Sequence, residues 1–208
     1  MSVPRLKIEG PKRAKKAVVL MHGAGESSES AFLSYFAEAL VKLHYKVIRF
    51  DFPYMEERSS PGRKRPPDKE VILRETWLAV LDQVKQEKVV IGGKSMGGRI
   101  ASLIADESRA DGLLCLGYPF HPTGKPEKLR TEHLAELETP TLIIQGEKDV
   151  FGTREEVESY HLSENIRVHW AIDGDHSFRP KRGSNRTFES NMKNTMRAIE
   201  KFLFELWA

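Results

Sequence analysis

Five residues, Gly93-Lys94-Ser95-Met96-Gly97, have the types and spacing of a serine nucleophile carried on a sharp turn. Val89-Val90-Ile91-Gly92 before them reads as a short buried strand, and Gly98-Arg99-Ile100-Ala101-Ser102 after them as a helix that opens at once and runs on through Ile104. A hydroxyl on a relaxed strand lies flat among its neighbours, whereas a strand-to-helix turn lifts it toward a substrate. Glycine is needed at both flanks because a Cβ there would collide with the adjoining strand or helix. The turn also puts Ser95 at a helix N-terminus, where unpaired N–H groups and the helix dipole favour a developing anion. Gly93-Lys94-Ser95 ends like a phosphate-binding loop as well, but the glycine that motif requires five residues earlier is Lys88.

A serine hydroxyl is a poor nucleophile near neutral pH and needs a base. His176, in Asp173-Gly174-Asp175-His176, follows a stretch read as a strand that ends at Ile172. Asp149, in Gly146-Glu147-Lys148-Asp149, follows one that ends at Gln145. The chain order Ser, Asp, His suits a relay carried on the ends of successive strands. His176 would take the hydroxyl proton and pass it to the leaving group, and Asp149 would fix the imidazole tautomer and stabilise the imidazolium. Asp149 lies deeper in its loop than Glu147, and Asp173 or Asp175 could orient the ring locally. The oxyanion of such a reaction needs fixed donors, for which the N–H groups of Met96 and of Ala24, in His22-Gly23-Ala24-Gly25, are the candidates. His22 is read as a brace for that loop and Cys115, inside an apolar run, as a core residue. Gly23-Ala24-Gly25-Glu26-Ser27-Ser28 also partly fits a dinucleotide fingerprint, but Ser28 stands where the third glycine belongs and Asp51 is later than the usual ribose acid.

Four strand ends have to bring these groups together. Leu6-Lys7-Ile8 can form a brief edge strand, and Ala17-Val18-Val19-Leu20-Met21 is continuously apolar, as a strand buried on both faces should be. Further strands are expected at 47–50, 113–116, 140–145 and 166–172. Apolar residues recur at helical spacing from Ala31 to Leu43, from Val71 to Val84 and from Phe188 to Leu206, and shorter helices are expected at 133–137 and 154–160. Strands alternating with helices predict an α/β fold, a mostly parallel sheet of six to seven strands with helices on both faces. In such a sheet, reactive groups collect beyond the carboxyl ends of the strands. The charged stretch from Glu56 to Asp68 reads as an exposed connection.

At 208 residues the chain suits one domain, residues 1–208. Its 39% apolar and 30% charged content is that of an ordinary water-soluble protein, and no apolar run reaches membrane-spanning length. A net charge of +3 gives no case for nucleic acid or a membrane as partner. A single cysteine and an N-terminus without an apolar signal core point to a reducing, cytoplasmic setting. Oligomeric state is left open.

The residues quoted resemble the α/β-hydrolase superfamily over nearly the whole chain. His22-Gly23-Ala24-Gly25, Gly93-Lys94-Ser95-Met96-Gly97-Gly98-Arg99 and Tyr118-Pro119-Phe120-His121-Pro122 with Gly124-Lys125-Pro126 are similar, more narrowly, to a small dienelactone-hydrolase-like group. That group includes relatives of a testis-expressed hydrolase-like protein and of a regulatory subunit of a chromatin acetyltransferase complex. Ser95 stands where dienelactone hydrolases carry cysteine, so their substrate does not transfer. The resemblance implies an ester, thioester or amide as target and neither a metal nor an organic cofactor. Some members of the narrow group are regarded as scaffolds, which makes a weakly active binding protein the competing class. Only 120–139 is available for a cap between two of the strands, so no large cap domain is expected. The site should be open to a small soluble substrate, with Tyr54, Tyr118, Phe120 and His121 as pocket walls. Arg63, Lys64, Arg65, Lys94, Lys181 and Arg182 fall on loops at the same sheet edge, which suggests an anionic acyl substrate.

Overall fold

The computed structural model describes residues 4–58 and 65–208. One seven-stranded sheet runs through them, with β1 (Lys7–Glu9), β2 (Lys16–Met21), β3 (Lys46–Phe50), β4 (Lys88–Lys94), β5 (Gly112–Leu116), β6 (Thr141–Gly146) and β7 (Ile166–Ala171). The strand order is β1-β3-β2-β4-β5-β6-β7, and only β1 is antiparallel, to β3. The helices are α1 (Ala31–Lys42), α2 (Pro53–Arg58), α3 (Glu70–Leu81), α4 (Met96–Ser102), α5 (Arg154–Glu158) and α6 (Phe188–Leu206).

The central strands are apolar without interruption because each residue has a core to face. Along β2, Ala17, Val19 and Met21 enter one core while Val18 and Leu20 enter the other, and all five are fully buried. β5 and β6 divide in the same way, with Leu113, Cys115 and Ile143 on the first face and Leu114, Leu116, Leu142 and Ile144 on the second. Helices α1 and α6 cover the second core through Leu33, Phe36 and Leu40 and through Ile199, Phe202 and Leu203. Helices α3, α4 and α5 cover the first through Leu73, Trp77, Ile100 and Val157. The edge strand β1 is fastened by Glu9, whose Oε2 accepts from Arg49 Nη2 at 2.6 Å and Nε at 3.0 Å. Arg49 itself is 1% exposed.

Three expectations change. The chain leaving β3 does not run straight into an open connection: Pro53, at the first position of α2, has a φ suited to a helix start and no N–H to lose, and a short helix forms there. The elbow helix stops at Ser102 and its last turns loosen through Ser108. The expected helix at 133–137 is a single 3₁₀ turn, Glu132–Leu134. Nothing larger than that turn fills the stretch between β5 and β6, so no cap domain covers the carboxyl edge of the sheet. Among the described residues no helix is long and apolar enough to cross a membrane.

Candidate active site

β4 is the middle strand of the sheet, and Ser95 follows it directly. The backbone there is strained: Ser95 has φ 52° and ψ −116°, a left-handed value that an L-residue adopts only when its surroundings impose it. The two glycines explain how the turn closes. A Cβ on Gly93, whose φ is 152°, would stand 2.1 Å from the Met21 carbonyl oxygen. One on Gly97 would stand 2.6 Å from the His22 carbonyl oxygen. Ser95 is then held on both sides, its N–H donating to the Leu116 carbonyl on β5 and its carbonyl accepting from Arg99 N–H in α4.

Asp149 and His176 lie beyond the neighbouring strand ends, after β6 and β7, and their side chains meet. Asp149 Oδ2 is 2.7 Å from His176 Nδ1, and the carboxylate is wholly buried while the imidazole is one-fifth exposed. A buried carboxylate must have its acceptor sites filled. Gln145 Nε2 donates to Oδ2 at 3.0 Å and Phe151 N–H to Oδ1 at 2.9 Å. Gln145 is itself pinned, its Oε1 accepting from Tyr118 N–H at 2.8 Å and its Nε2 reaching the Gly152 carbonyl at 3.0 Å. The other acids near the two loops are engaged elsewhere. Glu147 accepts from Arg154 and from Asp173 N–H, Asp173 from Ser184, and Asp175 closes a turn by accepting from Ser177 and Arg179 N–H. Asp149 is thus the carboxylate on the ring. Among the described residues neither His176 Nε2 nor Ser95 Oγ forms a hydrogen bond.

Lys94, the residue between glycine and serine in the elbow, behaves unlike a loop cation. It is 9% exposed, its Nζ donates to the His176 carbonyl, and the ammonium lies 5.1 Å from the Phe32 ring centroid and 5.8 Å from that of Phe178. Burial pushes its amine down to about 8, against the opposing pull of Asp149, Asp175 and Glu26. The lysine joins the elbow to the histidine loop from behind.

The loop after β2 approaches from the other side, where a Cβ on Gly23 would stand 3.5 Å from Ser95 Cβ. His22 is fully buried; Phe52 N–H donates to its Nε2 at 3.1 Å, which leaves Nδ1 as the donor to the Gly23 carbonyl at 2.7 Å. Burial lowers its pKa, consistent with this neutral tautomer. The ring therefore ties the ends of β2 and β3 together. The Ala24 carbonyl accepts from Tyr54 Oη at 3.2 Å and Arg58 Nη1 at 3.3 Å. Neither Ala24 N–H nor Met96 N–H donates to any described residue, so both are free for a ligand.

A cleft of about 320 Å³ opens beside Ser95. Its walls include Ala24 and Met96, the apolar Leu73, Ile100, Pro119 and Phe151, and four charged residues, Asp68, Glu70, Arg99 and Arg130. The expected walls are not these. Tyr54, Tyr118 and Phe120 are fully buried and His121 is 3% exposed. Alternation along the strand exit explains the difference, because Tyr118 and Phe120 turn into the core and leave Pro119 between them to face the cleft. Tyr54 props the Ala24 carbonyl, and Tyr118 Oη donates to the Arg130 carbonyl at 3.0 Å, so these aromatics support the cleft from beneath. The described part of the expected cationic fringe does not line the cleft either. Arg63 and Lys64 lie outside the described residues, Arg65 pairs with Glu57 and Asp68, Lys94 is buried, and Lys181 and Arg182 do not line the cleft. A larger hollow, about 410 Å³, lies between α1 and α6 against Phe32, Tyr35 and Met192, and Ser95 is not among its walls. Among the described residues no group of three His, Cys, Asp or Glu side chains is placed to hold a metal ion.

Known proteins share this architecture. A serine hydrolase homologue from Coxiella burnetii superposes with a TM-score of 0.72 at 20% identity, covering 94% of this chain and 89% of its own. Est1E from Butyrivibrio proteoclasticus gives 0.73 at 14% identity, covering 97% and 93%. XC6422 from Xanthomonas campestris, described as an α/β serine hydrolase without a lid, gives 0.71 at 17% identity, covering 95% and 88%. At such identities the likeness is one of fold. The rat (Rattus norvegicus) protein named "Putative protein-lysine deacylase ABHD14B" is 28% identical over 139 residues, 66% of this chain. The match spans 63% of that relative's length. The family model described as the alpha/beta hydrolase domain matches residues 14–204, from the start of β2 almost to the end of α6, and to that family the chain belongs.

Proposed function

We propose that the protein is a serine hydrolase that cleaves small soluble esters or thioesters through Ser95, His176 and Asp149. The observation that carries this is the closed Asp149–His176 bond, 2.7 Å long, on a sheet edge whose middle strand delivers a serine with left-handed φ. Such strain persists only where the surroundings impose it, and it concentrates at functional sites.

In the first half-reaction Ser95 Oγ attacks the substrate carbonyl carbon while His176 Nε2 takes the hydroxyl proton. The carbonyl electron pair moves to oxygen, and the free N–H groups of Ala24 and Met96 receive the oxyanion. Collapse breaks the bond to the leaving oxygen or sulfur, which departs with the proton from His176, and the acyl group stays on Ser95. Water then repeats the attack with the same base, releasing the carboxylic acid and restoring the serine hydroxyl. Asp149, fixed by Gln145 and Phe151 N–H, holds the ring with Nδ1 as donor and stabilises its cation throughout. The uncapped cleft favours a small acyl group, and the rat relative's name widens the leaving groups to the amine of an acylated lysine. The likeness of the His22, Ser95 and Tyr118 segments to the dienelactone-hydrolase-like group does not separate an enzyme from a scaffold, and it is the Asp149–His176 pair that favours the enzyme.

Short 4-nitrophenyl esters test it. Wild type should show a burst of about one nitrophenolate per chain followed by slower turnover, and Ser95→Ala should show neither. Hydrolysis by Ser95→Ala at the wild-type rate would overturn the reading.

A further inference from the structure

The two arginines of the cleft are not balanced alike. Of the carboxylates in its wall, Asp68 already accepts from Arg65 Nη2 at 3.0 Å and from Tyr54 N–H at 3.0 Å. Glu70 holds Arg99 Nη2 at 2.5 Å. Arg130 pairs with no carboxylate among the described residues, and 1–3 and 59–64 contain no acidic side chain that could serve. The one hydrogen bond its guanidinium makes among the described residues is a long one, Nη1 to the Pro119 carbonyl at 3.5 Å. Arg99 stands in the same wall, its Nη2 on Glu70 and its Nε enclosed by protein with no hydrogen-bond partner among the described residues. A half-buried guanidinium with no counter-ion among the described residues, beside a second arginine close enough to act on its charge, makes this wall a place for an anion. Their backbones are rigid, since Arg99 sits one turn into α4 and Arg130 is held by its N–H to the Phe120 carbonyl and its own carbonyl to Tyr118 Oη.

The position of this charge tells which end of a substrate it meets. The leaving group must lie by His176, which protonates it. His176 is not in the wall of this cleft; Phe151, whose ring centroid is 4.5 Å from that of His176, forms the wall on that side. The acyl chain, anchored by its carbonyl between Ala24 and Met96, is what remains to extend along Leu73 and Ile100. Arg99 is four residues from Ser95 on α4, about 6 Å along the helix axis, so a short chain suffices to reach it.

We propose that Arg130 and Arg99 form a carboxylate subsite, so that the preferred substrate is an ester or thioester of a short dicarboxylic acid whose free carboxylate binds these two guanidinium groups. This rests on the serine-hydrolase reading above and narrows it to one substrate class. It also moves the anion's partners from the loops to the wall of the cleft.

Matched six-carbon probes test it: mono-4-nitrophenyl adipate against 4-nitrophenyl hexanoate, with uncatalysed hydrolysis subtracted. In low salt the ratio of kcat/KM, adipate over hexanoate, should be about tenfold or more, from a hydrogen-bonded charge pair that the neutral ester lacks. The ratio should drop about tenfold in Arg130→Gln, recover in part in Arg130→Lys, and fall toward one in wild type as sodium chloride is raised. A wild-type ratio at or below one, with hexanoate hydrolysed in a Ser95-dependent way, would overturn the subsite and leave the hydrolase reading standing. So would a ratio unchanged in a folded Arg130→Gln. Hydrolysis of both esters undiminished in Ser95→Ala would remove the hydrolase reading and the subsite with it.

Discussion

Asp149 is the residue on which the proposed chemistry turns, because it is a charge with no access to water. Its Oδ2 meets His176, and Gln145 and Phe151 N–H satisfy the rest of the carboxylate. Asp149→Asn keeps the size but leaves the imidazole in the wrong tautomer, and kcat for a short ester should fall about 10³- to 10⁴-fold while KM changes little. Gln145→Leu is milder. It removes a donor to Oδ2 and the partner of Tyr118 N–H, and should lower kcat about tenfold with a loss of roughly 1–3 kcal/mol in urea-unfolding stability. Of these residues the sequence offers Ser95, Asp149 and His176 through spacing and position after expected strands. Gln145 had one available sign, a polar residue closing an otherwise apolar strand. Lys94, Arg99 and Arg130 had none, since whether a cation is buried, paired or aimed into a cleft depends on neighbours distant in the chain.

At the scale of elements, the elbow is where sequence and backbone agree most closely. Glycine at 93 and 97 is demanded by carbonyl oxygens of the β2 exit, 2.1 Å and 2.6 Å from where a Cβ would stand. Gly93→Ala should therefore cost more than about 2 kcal/mol in unfolding free energy, because both the positive φ and the collision with β2 oppose it. Urea titration checks this, and a change under 0.5 kcal/mol would refute the account of the turn. The central parallel strands were legible because burial on both faces fills their middle positions with apolar residues, as along Ala17–Met21 and Leu113–Leu116. Helix α2 was not, since six residues, Pro53–Arg58, are too few to show a period. The aromatic walls failed for a related reason: Tyr118 and Phe120 follow a strand directly and keep its alternation, which takes them into the core. That Pro119 faces the cleft instead is a matter of register.

For the whole molecule, the buried lysine couples stability to pH. Below about pH 8 Lys94 is charged in both the folded and the unfolded chain, and the cost of burying the ammonium is fully present. Between about 8 and the unfolded value of about 10.4 the unfolded chain binds the proton and the folded chain does not. Stability then rises with pH, by at most about 1.4 kcal/mol per unit. Unfolding free energies of wild type relative to Lys94→Met should show that rise across pH 8 to 10, and a flat difference would contradict it. The absence of a cap has its own consequence. A cleft of about 320 Å³ without a lid leaves long chains in water, so kcat/KM should fall about tenfold or more from four-carbon to twelve-carbon acyl esters.

The most direct test of the whole account is covalent labelling with a fluorophosphonate, followed by mass spectrometry of the labelled peptide. Wild type should gain one phosphonyl group, on Ser95. Ser95→Ala should gain none, and His176→Ala should react at least about a hundredfold more slowly. Folded wild type that stays unlabelled, or that is labelled equally well without His176, would contradict the claim that these side chains act as one relay.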